Sequence, residues 1–289
     1  MQGLGIPTMA DYSCLPVQGE RPLLTIVTTV RNGGKTLART LDSIRAQAFS
    51  GLEYIVADAE STDGTLDTIR ANVDIITHWQ SERDRGISDG FNKGISLARG
   101  RYITLLNADD WLSPGQLAAG IETLEKSGAD FVFGDLLYHD TQGAVLHRVT
   151  GDAGYARKIG YTMPALNHPT VIVRRTAYER CGLFDLRWRY AMDYELLLRF
   201  HRAGLRGVHD SRMLGHMTLE GASDRNARAA LCEVRDISIV HGHPRVRAYM
   251  LHFFRLTKGR LRRLVEASMP NAASVAIRHI FNRSLTDAR

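Results

Sequence analysis

The sequence predicts an α/β protein: a mostly parallel central sheet flanked by helices, followed by a helical C-terminal extension. Three observations lead there. The first half alternates β-branched apolar runs with stretches of helical spacing, the second half adds short strand patterns, and beyond about Ala222 only helical periodicity remains. Repeated strand–helix units imply right-handed crossovers and a sheet covered on both faces.

The elements follow in order. Leu23 to Val30 is an apolar, β-branched run fit for a buried parallel strand. Asn32-Gly33-Gly34 turns the chain, and Leu37, Leu41, Ile44 and Ala48 then recur at helical spacing. Tyr54 to Ala57 reads as the second strand, and Thr62 or Asp63 can cap a short helix through Arg70. Ile75-Ile76-Thr77 reads as the third strand, and Ile87, Phe91, Ile95 and Ala98 form a helical stripe that stops at Gly100. Tyr102 to Leu106 is the fourth strand. Pro114 then suits a first helical turn, and Leu117, Ile121 and Leu124 lead to a stop at Gly128. Phe131 to Phe133 and Val145 to Val149 flank a turn at Thr141-Gln142-Gly143, which predicts antiparallel additions. Thr150 to Asn167 has little periodicity and reads as an active-site loop. Val171 to Val173 is a short strand, and Glu195 to Arg202 is helical with Gly204 as its stop.

With 289 residues, the chain has room for one large α/β domain and an appendage. A content of 44% hydrophobic and 24% charged residues excludes a disordered or fibrous protein. Cys14, Cys181 and Cys232 are scattered, with neither zinc spacing nor an even count for a disulfide framework. Met1 to Glu20 lacks the basic start and apolar core of a signal peptide, and no apolar run is long enough for a membrane-spanning helix. The expected setting is cytoplasmic. The net charge of +6 is uneven: from Asp224 onward there are 13 Lys/Arg against 5 Asp/Glu. Basic charge at the end of the chain, rather than around the strand ends, argues against nucleic acid as partner and points to an anionic membrane surface.

Ligands of such sheets bind beyond the carboxyl ends of the strands, here after Val30, Ala57, Thr77 and Leu106. After the fourth strand stands Asn107-Ala108-Asp109-Asp110. Adjacent carboxylates there suit a hard divalent cation such as Mg2+ or Mn2+, which takes one or two carboxylates plus substrate phosphates; equally, Asn and Asp favour a capping turn before the next helix. After the second strand stands Asp58-Ala59-Glu60-Ser61-Thr62-Asp63-Gly64-Thr65. Good turn chemistry accounts for Ser61 to Gly64 and leaves Asp58 and Glu60 unexplained.

These segments, together with Thr25 to Asn32 and the longer run Ser81 to Ile95 (Ser-Glu-Arg-Asp-Arg-Gly-Ile-Ser-Asp-Gly-Phe-Asn-Lys-Gly-Ile), resemble the family 2 glycosyltransferases of GT-A, Rossmann-like fold, in their bacterial polysaccharide-assembly branch. Ala191-Met192-Asp193-Tyr194-Glu195-Leu196 completes the order of motifs over Leu23 to Ser223. The resemblance implies a lead-in at 1–21, a catalytic domain at 22–223 and a basic helical extension at 224–289. It implies a nucleotide-sugar donor, with a UDP-sugar favoured, and a glycan or lipid-linked acceptor. Thr28, Val30, Asn32, Glu60 and Ala108 would line the donor, and Asp58 would contact its base. Asp84, Gly86, Asp89 and Asn92 would border ribose or sugar, Asn107 would reach ribose or phosphate, and His168 would face the donor. Asp109 and Asp110 would hold Mg2+ or Mn2+, with His216 as a further metal ligand, although Asn107 departs from the first position of a strict DxD motif. Asp193 would be the catalytic base, while Glu195, two residues on in a helix, would point away. Arg174 and Arg175 could steady phosphates or stay structural.

Two other classes remain open. A nucleotidyltransferase should carry a Gly-rich basic loop after the first strand, of which Asn32-Gly33-Gly34-Lys35 is a faint version; a non-catalytic binding protein would have no use for both Asp109 and Asp193. If Arg245 to Val265 is helical, Val246, Met250, Phe253, Thr257, Leu261 and Leu264 form one stripe. Arg247, Arg255, Lys258 and Arg262 form another, as in a helix lying in a membrane interface or one packed on the catalytic domain.

Overall fold

A computed structural model of the chain describes residues 6–12, 21–218 and 226–267. Its strands and helices alternate as β1 (Leu24–Val30), α1 (Leu37–Arg45), β2 (Leu52–Asp58), α2 (Thr65–Arg70), β3 (His78–Ser81), α3 (Ile87–Leu97) and β4 (Tyr102–Leu105). There follow β5 (Trp111–Leu112), α4 (Gln116–Ser127), β6 (Phe131–His139), β7 (Val145–Val149), β8 (Ile172–Arg174), α5 (Arg175–Cys181), α6 (Met192–Arg202) and β9 (Gly207–Thr218). Two helices close the described chain, α7 (Ala227–Val240) and α8 (Arg245–Ala267).

One nine-stranded sheet runs in the order β3-β2-β1-β4-β8-β6-β9-β5, with β7 on β6. The β3-β2-β1-β4 half is parallel. The other half is mixed, because β8 reverses against both β4 and β6 while β9 runs parallel to β6. All seven residues of β1 are buried, which is why its sequence is a continuous apolar run rather than an alternating one. One face packs Val27, Ile55, Ile103 and Leu105 against Phe91 and Ile95 of α3 and Leu197 of α6. The other packs Ile26, Tyr54 and Tyr102 against Leu37 and Leu41 of α1 and Leu117 and Leu124 of α4.

Gly94 lets α3 lie directly on β1. A Cβ there would come within 2.2 Å of Val27 Cγ1. Alanine helps a helix by up to ~1 kcal/mol over glycine, yet overpacking a dense core costs about 1–3 kcal/mol. Gly94→Ala is therefore expected to lower the urea midpoint despite the better helix former.

Several expectations need correction. The third strand starts at His78, opposite Ile55, and not at Ile75. Ile75 and Ile76 instead donate their N–H groups to Asn72 O and close the turn after α2, where Ile76 is buried without joining the sheet. Pro114 is not inside α4, which begins at Gln116 after Gly115 at φ +76°. β5 and β9 carry no strand signal in the sequence. β5 has two residues, and β9 is broken by a register shift opposite Phe133 and Asp135, so that His209 and Leu214 face nearly adjacent partners. Asp210-Ser211-Arg212 fills that bulge and disguises the strand as a turn.

The 150–167 segment is not an open loop, since Tyr155, Ile159 and Leu166 are buried in the core and Asp152 N–H bonds Ala165 O at 2.8 Å. Residues 6–12 are likewise held, with Leu183 N–H donating to Pro7 O at 2.8 Å. In α7, Val234 and Ile237 join the core that α6 borders. No helix among the described residues is long and apolar enough to cross a membrane. Cys14, Gly221-Ala222-Ser223 at the end of the resembling span, and the side chains of Leu261, Arg262 and Leu264 lie outside the described residues.

Candidate active site

The site is built on the carboxyl edge of the parallel half. The loop after β1 is stitched to the loop after β2: Asn32 N–H donates to Ser61 Oγ (2.8 Å), Gly33 N–H to Thr65 Oγ1 (2.8 Å) and Gly34 N–H to Asp63 Oδ2 (3.0 Å). Asn32 Oδ1 in return accepts the Thr62 N–H at 2.9 Å. Ser61 to Thr65 thus do more than turn the chain. Asn32 (φ +54°) and Glu60 (φ +49°) both sit in the left-handed region at this edge, strain of a kind that concentrates at functional sites.

Asp58 ends β2. Its Oδ2 accepts Ser61 N–H (3.0 Å) and Ser81 Oγ–H (2.5 Å), but its buried Oδ1 has no partner. A buried acceptor left open costs roughly 1–3 kcal/mol, and this oxygen can still take a hydrogen bond from a further donor. Val30 and Ala108 pack around Gly33, where a Cβ would lie 2.5 Å from Val30 Cγ2 and 3.6 Å from the Ala108 Cβ. Thr28 cannot offer its side chain to a donor. It is fully buried, and its Oγ1 accepts the Tyr54 hydroxyl at 3.1 Å.

The Asn107–Asp110 turn follows β4. Asp109 is partly exposed and Asp110 is buried. Asn107 Nδ2 donates to Asp110 Oδ2 at 2.9 Å. Burial, reinforced by the neighbouring Asp109 charge, pushes the Asp110 carboxyl well above the usual carboxylate range. Such a pair fits a divalent cation, whose charge would reverse both effects. Among the described residues no group of three or more His, Cys, Asp or Glu converges, so the remaining ligands would come from substrate phosphates and water.

His216 does not fit the role of metal ligand. Its Nε2 bonds Ser113 Oγ (2.8 Å), its Nδ1 bonds His139 Nε2 (2.9 Å), and its ring stacks on Trp111 at 5.1 Å. Burial, then the His139 and Arg39 charges, bring its pKa down to about 4, so both ring nitrogens of a neutral imidazole are already engaged. The sequence reading missed Arg39, which lies 3.7 Å above the Trp111 ring and donates to Asp109 O (2.9 Å) and Thr218 Oγ1 (3.1 Å). A single Arg on the polar side of a helix gives no pattern to find.

The Ser81–Ile95 motif divides. Asp84 Oδ1 accepts Gly86 N–H (2.9 Å), and Gly86 (φ +116°) opens α3, leaving this turn at the rim. Asp89 and Asn92, expected to border the donor, are consumed by the fold. The Asp89 carboxylate takes Arg85 N, Nε and Nη2 and the Tyr12 hydroxyl, which holds its pKa below the usual range despite burial. Asn92 clamps the backbone of Phe184 from both sides, Nδ2 to its carbonyl and Oδ1 from its N–H, each at 2.9 Å. Arg174 is structural as well, donating to Ala129 O and Leu124 O at the end of α4. Arg175 pairs with Glu179.

Asp193 stands in the first turn of α6, facing His168 from a short 3-10 turn (His168–Thr170). Both line a small cavity with Met163, Pro164, Leu166 and Tyr194. Burial raises the Asp193 carboxyl above its ordinary range, offset in part by His168. Burial depresses His168, whose Nε2 has no hydrogen-bond partner. Glu195, by contrast, is satisfied by Arg199 (2.8 Å) and His241 (3.1 Å). A further residue holds this turn in place. Glu233 of α7 accepts the N–H groups of Arg189 (3.0 Å), Tyr190 (2.7 Å) and Ala191 (2.8 Å), just before Asp193. Glu233→Gln weakens three charge-assisted bonds. It is expected to lower turnover roughly tenfold while leaving donor affinity unchanged, because small misplacements of a reacting group are costly; steady-state kinetics would show the split between kcat and KM.

The chain is similar to known proteins in sequence and in fold. The family model described as Glycosyl transferase family 2 matches residues 25–182, more than half of the chain. The chain is 28% identical over 187 residues to a PGL/p-HBAD biosynthesis glycosyltransferase of Mycobacterium bovis, covering 62% of this chain and 69% of that one. It is 30% identical over 197 residues to the succinoglycan biosynthesis protein ExoO of Rhizobium meliloti, covering 63% of this chain and 56% of that one. In three dimensions it is similar to a mannosyltransferase from Pyrobaculum calidifontis in complex with GDP-Man and Mn2+, with a TM-score of 0.63 and 18% identity over 93% of this chain and 82% of that one. It is also similar to S. aureus TarS in complex with UDP-GlcNAc, with a TM-score of 0.62 and 16% identity over 78% of this chain and 69% of that one. The fold is GT-A, and the chain belongs to glycosyl transferase family 2: it is a glycosyltransferase.

Proposed function

We propose that the chain transfers a sugar, with inversion, from a nucleotide-sugar donor to a hydroxyl of a glycan or lipid-linked acceptor in cell-surface polysaccharide assembly. The observation that carries this reading is the placement of Asp193: one carboxylate of raised proton affinity, in a cavity, held by Glu233 at its helix start. Inverting displacement needs one such base on the acceptor side.

In this reading the Asp193 carboxylate takes the acceptor hydroxyl proton. The hydroxyl oxygen forms a bond to the anomeric carbon from the face opposite the nucleotide. The bond from that carbon to the diphosphate breaks, and its electron pair leaves with the nucleoside diphosphate. Asp58 Oδ1, buried and unpartnered, accepts an N–H of the base, which favours a UDP-sugar. Asp109 and Asp110 would hold Mg2+ or Mn2+, which when bound would offset charge on the departing diphosphate. The packed 150–167 segment, through Tyr155, Ile159 and Leu166, limits the water that would hydrolyse the donor. Support for a nucleotide-sugar donor comes from the neighbours solved with UDP-GlcNAc and with GDP-Man and Mn2+, and support for a polysaccharide product from the succinoglycan relative.

The C-terminal helix favours work at the cytoplasmic face of a membrane. Val246 (73% exposed), Tyr249, Met250, Phe253 (69%) and Phe254 line the outward side of α8, in the most basic part of the chain.

The test is a panel of UDP-, GDP- and dTDP-sugars, each with and without Mn2+. Metal-dependent binding of at least one, and release of nucleoside diphosphate rather than pyrophosphate, is the expected result. Silence across the panel, or pyrophosphate release, refutes the reading.

A further inference from the structure

Two small cavities meet at the start of α6, and His168, Asp193 and Leu197 line both of them. The larger, of about 20 Å³, is otherwise walled by aliphatic and aromatic side chains, Tyr178 among them. His168 is set there by its neighbours in sequence. Asn167 has φ +36°, in the left-handed region, and its Nδ2 donates to Gly134 O (2.7 Å) and Val149 O (3.2 Å). Thr170 Oγ1 accepts Gly134 N–H (2.8 Å) and donates to Asn167 O (2.8 Å). The residues that bracket His168 and Pro169 therefore both grip Gly134 of β6. Such strain persists only where surrounding bonds over-determine it, and it clusters at functional sites. The His168 ring packs on Phe91 at 5.7 Å, and its buried Nε2 has no partner among the described residues.

Asp193 is the complementary case. Its Oδ1 accepts the neighbouring Tyr194 N–H at 2.8 Å. Among the described residues no Arg or Lys acts on the carboxylate, and His168 is the side chain that offsets its burial. His168 in turn is acted on by Asp193 alone. Tyr178 and Tyr194 are the other titratable groups lining the cavities; burial pushes both up, so they stay protonated, and Tyr194 donates its hydroxyl to Ile159 O. His168 Nε2 does not bond Asp193 directly, but the larger cavity has room for one water-sized group beside both.

We propose that His168 is a positioning residue for the base: it joins the Asp193 carboxylate through one hydroxyl-sized group in their common cavity, a water that the acceptor hydroxyl replaces, and so aims the carboxylate at the proton it takes. This rests on the reading of Asp193 as the base, and it moves His168 from the donor side, where its motif would put it, to the acceptor side. Asp193 keeps the proton; His168 takes none. A carboxylate in apolar surroundings is aimed only as well as its hydrogen-bond partner is held, and the Asn167–Thr170 clamp holds this one.

The first test needs no turnover. Full-length protein is labelled with 15N-histidine, and the His168 ring signals are assigned by their loss in His168→Gln. In Asp193→Asn the His168 titration midpoint is expected to fall by about half a pH unit or more, because the carboxylate that favours the imidazolium is gone. An unchanged midpoint overturns the pairing. The second arm uses whichever nucleotide sugar releases nucleoside diphosphate. His168→Leu is expected to lower kcat about tenfold and leave the donor KM unchanged. It should also move the acid limb of the rate profile to higher pH, since Asp193 loses the partner that favours its ionised form. His168→Gln, which keeps a side-chain N–H at similar reach, is expected to restore most of the rate. A donor KM that rises with the fall in kcat returns His168 to the donor side; an unmoved limb, or a glutamine variant no better than leucine, leaves it a packing residue. Each of these overturns the proposal. If His168→Leu fails to fold, as its unfolding midpoint would show, the glutamine variant and the histidine signals still decide. An error in the base itself is distinguishable: transfer then survives Asp193→Asn while the His168 midpoint still moves.

Discussion

Asp193→Asn is expected to lower transfer by roughly 10²–10⁴-fold, the range over which positioned proton acceptors contribute, with nucleotide-sugar affinity nearly unchanged. The substitution is isosteric, and the asparagine carbonyl can keep the 2.8 Å bond that Asp193 Oδ1 accepts from Tyr194 N–H. What it loses is the ability to take a proton. The pH profile supplies a second check. Burial raises the Asp193 carboxyl above its ordinary range, and the base works only when ionised. The rate should therefore fall as pH drops through that raised value, at higher pH than an exposed aspartate would show. If transfer survives in Asp193→Asn, or donor affinity collapses with it, the assignment of the base is wrong.

The second large effect concerns Asp110. Its folded pKa is raised, so the native state binds more protons than the unfolded one, and stability falls as pH rises from the unfolded value through the folded one. Above that raised value the ionised group is a burden on the metal-free protein. Asp110→Asn removes that burden and keeps a partner for the Asn107 amide, now 2.9 Å from Asp110 Oδ2. The variant should be more stable than the wild type without metal, by about 1 kcal/mol or ~2 °C in Tm. Added Mn2+ should then reverse the order, stabilising the wild type but neither Asp110→Asn nor Asp109→Asn. Thermal unfolding with and without Mn2+ in the presence of UDP reads this without any turnover. Equal Mn2+ stabilisation of all three proteins would remove both aspartates from the metal site.

The first half of the fold was legible because its signals are local. The apolar run of β1 and the stripes Leu37-Leu41-Ile44 and Phe91-Ile95 need only the period of a buried strand or a one-sided helix. The same holds for the position of the turns at Asn32, Asp58 and Asn107, since side chains at the carboxyl ends of parallel strands must surround whatever the sheet binds. β9 was hidden because its pairing with β6 breaks at the Gly134–Met213 approach, where a Cβ on Gly134 would lie 2.2 Å from Met213 O and no residue period survives.

The roles of individual polar residues were less legible. Asp58 keeps one buried oxygen with no partner among the described residues, while Asp89, Asn92 and His216, equally plausible in their motifs, are engaged by Tyr12, Phe184 and His139. Those partners lie 77 to 92 residues away along the chain. A hydrogen bond has no sequence period. Glu233 reaches the site for the same reason: α7 carries it to the start of α6.

By itself, then, the sequence determined the α/β class, the parallel half and the strand ends at which the site is proposed, because burial and backbone geometry are written in neighbouring residues. The tertiary structure alone decided which carboxylates, amides and imidazoles at that edge are already engaged, because a polar group's availability depends on who else, far along the chain, has come within hydrogen-bond distance of it.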